Sequence, residues 1–447
     1  MLGPDRVRRT LFNALSHSTA SQTEAVFTAT RSALTRFANN VIHQNVAEND
    51  ATLQIRAAFG LRVGTATTND LSDTGIARVV DQACEIASHQ PENPEFAGLP
   101  EPAAVREVDA WDEAVAGASP ELRARAIGVI CGHSARAGLI ASGAFSTDAA
   151  ETAVANSNDL FAYHPATSVE LTLVVQDGLG SGYAHGAGWR LAQVDTEALC
   201  LEAVERAILS RNPRPIGSGE YPIVLDAYAV LDVLESLAEA GMGALAVQEG
   251  RSWMNGRQGR PSLSSAISIW DDGLDAAGFP TAFDCEGVPK RRVDIVRAGV
   301  PQEPVYDTHT AAKEPGRRST GHAQPYDDDD WDGPMPENLF IAPGDLSVSD
   351  LIREMDCGLY VTRFHYTNLV SEHDCGLTGT TRDGAWWVER GELAYPVQTL
   401  RFDQKIVPAL RGVSGVGKDL RTLQGFYGTH RVPPVALDNF RFIQSGG

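Results

Sequence analysis

Val169, Leu171, Leu173 and Val175 fall at every second position, and the same beat runs through Leu53, Ile55, Ala57 and Phe59 with Gln54 and Arg56 between them. Period two belongs to a strand with one buried face, because successive side chains leave the backbone on opposite sides. A slip of one residue would turn each apolar set to water, so the pattern requires a sheet with a covering layer. The segment 73–89 can supply part of that layer. Ile76, Val79, Val80, Ala83, Cys84 and Ala87 recur there at helical spacing, and Asp73 is placed to cap the first turn. Segments 5–16, 121–137 and 196–209 also read as helices, while Gly60 and Gly64 punctuate the next strand. Long antiparallel strands with covering helices make the first half α+β.

The pattern breaks at Arg-Asn-Pro-Arg-Pro-Ile-Gly-Ser-Gly, residues 211–219, where two prolines and two glycines favour an extended connection. This divides the chain into an N-terminal α+β domain, 1–212, and a strand-rich C-terminal domain, 213–447. The second domain opens with a short apolar strand, 221–225. A helix over about 227–240 follows, with Val230, Leu231, Leu234 and Leu237 on one face. The polar stretch 307–336, which includes the aspartate run 327–330, is expected to be a long surface loop.

With 447 residues and 43% hydrophobic content, the chain can bury a sizeable core in each domain. Its 58 acidic and 37 basic side chains leave a net charge of -21. That balance argues against nonspecific binding to nucleic acid or anionic membrane, which are themselves negative. No apolar run reaches the roughly 18 residues of a membrane span. Arg6, Arg8 and Arg9 are not followed by a signal-peptide core, so a cytoplasmic location is expected. Six cysteines without a CxxC pair point to reduced thiols rather than a disulfide framework or a Cys-rich zinc site.

Three constellations bear on chemistry. His365, His373 and Cys375 offer two imidazoles and a thiol within a short span. A His-x-Cys pair on a strand shares one face, and a hairpin could return His365 to it, which makes a re-formed metal site the alternative to a structural role. Asp284, Glu286, Ser319, Thr320, His322 and Arg363 could hold the ends of a peptide by charge pairing, or could satisfy one another in a polar interior. The glycine-rich stretch 177–188 lacks the lysine of a phosphate loop and leads into Trp189-Arg190-Leu191 rather than an obvious helix; it suits a hairpin better.

Several separated stretches together resemble the TldD/PmbA family. They are Thr35-Arg36-Phe37-Ala38-Asn39-Asn40 with Ile42-His43-Gln44, Gly60-Leu61-Arg62-Val63-Gly64, Phe283-Asp284-Cys285-Glu286-Gly287, Ser319-Thr320-Gly321-His322, Gly358-Leu359-Tyr360-Val361-Thr362 and Gly391-Glu392-Leu393-Ala394-Tyr395-Pro396. The resemblance implies a two-domain fold of the kind read above. It also implies a helix that in active members carries His-Glu-x-x-x-His, whose imidazoles bind zinc and whose glutamate serves as base on the metal-bound water. Counted from the strand at 222–225, that motif falls on residues 235–240, so Glu235 and Ala240 stand where the histidines would be and Ser236 where the glutamate would be. The third family ligand, a cysteine, corresponds to the region of Gly425-Phe426-Tyr427-Gly428, and no cysteine follows Cys375.

By resemblance this is the TldE-type branch: no catalytic residue and no metal in this chain, and a TldD-like partner subunit that carries the zinc. The expected role is that of a noncatalytic subunit in a heterodimer or larger assembly that degrades peptides or trims peptide precursors. The alternatives are an independent peptide-binding or peptide-tailoring protein, and a metalloenzyme built on His365, His373 and Cys375. Glu235 and Glu239, one turn apart, make a poor zinc site without imidazole and are expected on a solvated helix surface.

Overall fold

The structure is a computed structural model that describes residues 1–325 and 333–443; the aspartate run 327–330 lies outside the described residues. In the first half, β1 (Gln22–Ala38), β2 (Val41–Phe59), β3 (Arg62–Thr68), β4 (Ile140–Asn156), β5 (Phe161–Gln176) and β6 (Ser181–Gly188) form one antiparallel sheet in the order β3-β2-β1-β4-β5-β6. The long helices α1 (Pro4–His17), α2 (Asp73–His89), α3 (Pro120–Arg136) and α4 (Thr196–Leu209) cover one face. The alternating residues behave as their period requires, with Leu53, Ile55, Val169, Leu171, Leu173 and Val175 all fully buried beneath the helices. The cap of α2 lies one residue before the expected position, because Ser72 accepts the Gly75 N–H.

The half is an internal repeat. Each unit runs helix, three strands, helix, and the two units join through their first strands, with Phe27 opposite Ala153. Gly64 on β3 and Gly182 on β6 occupy equivalent places beneath the closing helix of each unit. A Cβ on Gly64 would lie 2.3 Å from the backbone nitrogen of Ala87, and one on Gly182 would lie 2.1 Å from the carbonyl oxygen of Ala203. Only glycine lets helix and strand backbones approach this closely.

In the second half, β7 (Gly219–Leu225), β8 (Cys357–Ser371), β9 (Gly376–Glu389), β10 (Arg401–Lys405) and β11 (Val435–Ile443) pair in a ring, since β8 pairs with both β7 and β9. Closure removes the sheet edges that would otherwise need protection. Short strands at 269–271, 293–297, 339–341, 421–424 and 429–432 belong to a second sheet. Helix α5 (Ala227–Glu239) lies between the two, with Val230, Val233, Leu234 and Leu237 against Ile269, Ile341, Ile406 and Leu437.

The uncovered face of the six-stranded sheet looks toward this second half. There His164 Nε2 lies 3.0 Å from the Pro280 carbonyl, and the His185 N–H donates to the Tyr228 hydroxyl. The fold is α+β with a strand-rich second half. The expected surface loop at 307–336 is a different matter. Asp307, Thr310, Thr320, His322, Ala323 and Met335 in it are buried, because the polar residues find partners inside and the few apolar ones anchor the segment.

Candidate functional site at helix α5

Asp226 caps α5 and is itself held by Arg206 and by the Tyr360 hydroxyl at 2.9 Å, which ties the helix to α4 of the first half. This fixes the face that carries residues 232, 235 and 239. Ser236 is buried, and its hydroxyl donates to the Asp232 carbonyl at 2.7 Å; Ala240 is fully buried and accepts the Trp253 N–H. Glu239 is exposed.

Glu235 departs from the expected solvated surface. Its side chain is only 13% exposed, and one oxygen accepts the Tyr427 N–H at 2.8 Å and the His430 Nε2–H at 3.3 Å. The imidazole tautomer follows from its other side: Nδ1 accepts the Leu339 N–H, so Nε2 carries the proton. Gly425 closes over the carboxylate so tightly that a Cβ there would come within 2.1 Å of it. Burial alone would raise the pKa of Glu235, but His430 and the amides of Tyr427 and Phe426 outweigh it and hold the group below the usual range.

One turn earlier, Asp232 receives the Thr367 hydroxyl at 3.4 Å, and burial followed by repulsion from Glu235 pushes its pKa up to about 7. Beside it Arg363 pairs with Asp383 at 2.6 Å and stacks over the Tyr183 ring at 3.9 Å. Asp383 holds φ at 54°, a conformation that costs energy for any residue with a side chain. Two carboxylates on one helix face, one held below the usual carboxylate range and one raised to about 7, border the junction between the two halves of the molecule.

Five of the six residues singled out as a peptide-binding cluster lie on two linked segments; Arg363 is the sixth and lies with Asp383 instead. Asp284 accepts the N–H groups of Glu286, Val288 and Ala323. Ser319 and Thr320 bond the Tyr306 carbonyl. His322 lies between Thr320 and Asp271, with burial lowering its pKa; the same imidazole overcomes the burial of Asp271 and brings that carboxyl down to about 2. Glu286 reaches outward, accepting the Thr308 N–H and lying 3.8 Å from Arg56. It borders a cavity of about 230 Å³ against the open sheet face, where Arg56 pairs with the buried Glu24 at 3.0 Å.

His365, His373 and Cys375 do not converge. His365 pairs with Thr380 along the hairpin and lies 2.9 Å from an Arg382 nitrogen, His373 sits in the turn, and Cys375 is fully buried in the core, with burial raising its thiol pKa. The re-formed metal site fails on geometry, because His373 and Cys375 both lie in the turn at 372–375 and share no strand face. Among the described residues no group of three metal-ligating side chains comes together.

Asp232, His430, Glu24 and Arg56 escaped the sequence reading. Asp232 had a signal, since it lies three residues before Glu235 on the same helix face. His430, Glu24 and Arg56 had none, because each gains its partner from a distant part of the chain.

Sequence models of the PmbA/TldA metallopeptidases match three consecutive stretches: domain 1 at residues 23–87, the central domain at 101–211 and the C-terminal domain at 218–444. The chain belongs to the PmbA/TldD metallopeptidase family. Within the family it is 27% identical over 398 residues to the metalloprotease PmbA of Escherichia coli O157:H7, covering 85% of this chain and 84% of that one. It is 22% identical over 225 residues to a metalloprotease TldD homolog of Buchnera aphidicola, covering 50% and 46%. Its fold is that of TldE from Thermococcus kodakarensis, with a TM-score of 0.88 at 20% identity over 98% of this chain and all of that one. The family models divide the first half between β3 with α2 and the following helix, which is the joint between the two repeat units; the sheet itself runs through it.

Proposed function

We propose that this PmbA/TldD-family chain is a noncatalytic, TldE-like subunit. It pairs in the cytoplasm with a TldD-like chain that carries zinc, and the pair acts on peptides. The observation that carries this reading is the contact between Glu235 and residues 425–430. By the family resemblance position 235 stands where a zinc-binding histidine would be; it holds a carboxylate that is already bonded to Tyr427 and His430, in the segment that the resemblance matches to the third ligand. Ser236, which by the resemblance stands at the catalytic glutamate's position, spends its hydroxyl on the helix backbone.

Co-expression with a His-Glu-x-x-x-His relative, followed by chromatography and metal analysis of each subunit, tests the reading. Co-elution with zinc confined to the partner is expected; stoichiometric zinc in this chain purified alone would contradict it. A second reading, independent peptide binding without hydrolysis, draws on the cavity bordered by Glu24, Arg56 and Glu286, whose two carboxylates against one guanidinium suit a peptide amine. Calorimetric titration of this chain alone with short peptides separates the two.

A further inference from the structure

The registers of the two repeat units in the first half correspond residue for residue. Gln22 opposite Ala58 maps onto Ile140 opposite Gln176, and Ala58 opposite Val63 onto Gln176 opposite Ser181. On this correspondence Glu24 and Arg56, which face each other on β1 and β2, become Ser142 and Val174, which face each other on β4 and β5. The sheet therefore does not require a buried ion pair at this place, since one unit holds it and the other does without.

Glu24 and Arg56 differ from their counterparts in bordering the cavity of about 230 Å³. Among the described residues Arg56 is the only arginine or lysine in its wall, against Glu24, Glu286 and Asp307. Asp307 is spent on the N–H and hydroxyl of Thr310. The guanidinium lies 3.0 Å from Glu24 and 3.8 Å from Glu286, so these two carboxylates share one positive charge. His309 in the same wall has its Nε2 3.4 Å from Glu95. Burial raises the pKa of Glu24; Arg56 opposes it, Glu286 adds to it, and the balance is upward. A buried carboxylate short of compensating charge is costly, and a cation seated beside it removes the cost.

The rest of the wall suits an organic cation. Val26 and Phe96 line it, and an aromatic ring attracts an alkylammonium. Thr28 lies opposite both Thr52 and Thr152, which makes a row of hydroxyls across three strands. That row stands four residues along β1 from Glu24, or about 14 Å. Charge lies at one end of the cavity and hydrogen-bonding groups at the other.

We propose that this cavity binds a primary ammonium group, carried by a small amine or by the free amino terminus of a short peptide. The ammonium lies between Glu24 and Glu286, and the rest of the ligand runs past Val26 toward the threonine row. This deepens the second reading above by naming the group that is recognised. It does not depend on a zinc-bearing partner, and none of Asp232, Glu235 and Glu239 lines the cavity, so failure of the co-expression test leaves it standing.

The test titrates the full chain with butylamine and with alanyl-alanine, each beside its N-acetylated counterpart, and follows binding by ligand-observed NMR. At least one free amine should bind saturably, and acetylation should weaken it at least about tenfold, because it removes the positive charge. Binding of both makes the ammonium sufficient; binding of the dipeptide alone assigns the site to peptide termini, and of butylamine alone to small amines. Glu286→Gln, which keeps an acceptor for the Thr308 N–H, should weaken the amines by a similar factor with an unchanged circular dichroism spectrum. Free and acetylated ligands that bind alike, amines without saturable binding, or amines indifferent to Glu286→Gln in a folded chain would overturn the proposal. The acetylated pairs need no variant, so they decide the matter even if Glu286→Gln fails to fold.

Discussion

Glu235 ties α5 to residues 425–430 through a single carboxylate oxygen. Glu235→Ala leaves the Tyr427 N–H and the His430 Nε2–H without their acceptor, at a cost of about 1 to 3 kcal/mol in stability. Amide exchange should accelerate at Tyr427 more than in the strand ring β7 to β11, and unchanged exchange at Tyr427 would show that the contact does not hold the segment. Asp232 gives a pH signature. Its folded pKa, about 7, stands above the unfolded value near 4. The folded state therefore keeps a proton that the unfolded state has lost, and the penalty for burying the charge grows as pH rises from about 4 to about 7. Asp232→Asn is expected to stabilise the protein more at pH 8 than at pH 5, by about 1 to 2 kcal/mol once residual solvent contact is allowed for. Equal gains at the two pH values in urea unfolding would contradict the assignment. The sequence placed Glu235 on a solvated helix surface; its burial was not legible, because its partners lie in a distant segment and no local pattern announces a contact of that range.

At the scale of elements, periodicity carried most of the fold. The helices at 73–89 and 196–209 end where their apolar spacing ends, and the alternating strands are buried on the face they expose to the helices. The failures were of two kinds. A composition rule read 307–336 as a surface loop, yet Asp307, Thr310, Thr320 and His322 in it are buried, because polar side chains can be buried when they bond one another, as Asp307 does with Thr310. The internal repeat went unseen because it is one of geometry, marked in sequence by little more than Gly64 and Gly182. Those glycines provide the test. Gly64→Ala and Gly182→Ala should each lower stability by about 2 kcal/mol or more, since the added methyl meets the backbone of the covering helix. Gly128→Ala, in the middle of α3 with open space around it, should instead raise stability by about 0.5 to 1 kcal/mol. Thermal denaturation of the three variants decides whether helix-on-strand contact is as close as described.

At the scale of the molecule, α5 is on the proposed reading a scaffold rather than a metal site. Restoring its ligands by Glu235→His, Ser236→Glu and Ala240→His is not expected to restore a peptidase. Residue 240 lies in a fully buried position beside Trp253, where an imidazole overpacks the core, and residues 425–430 would lose the carboxylate that holds them without gaining a thiolate. Chelator-sensitive hydrolysis by that triple variant would show the site to be more adaptable than its packing suggests. The most direct measurement is a titration of this chain into a fixed amount of a TldD-like zinc subunit, with peptide hydrolysis as the readout. The rate should rise from a low value and saturate as the partner is filled. A rate that stays flat across the series, with the two proteins eluting apart, would contradict the assignment of this chain as that subunit's partner.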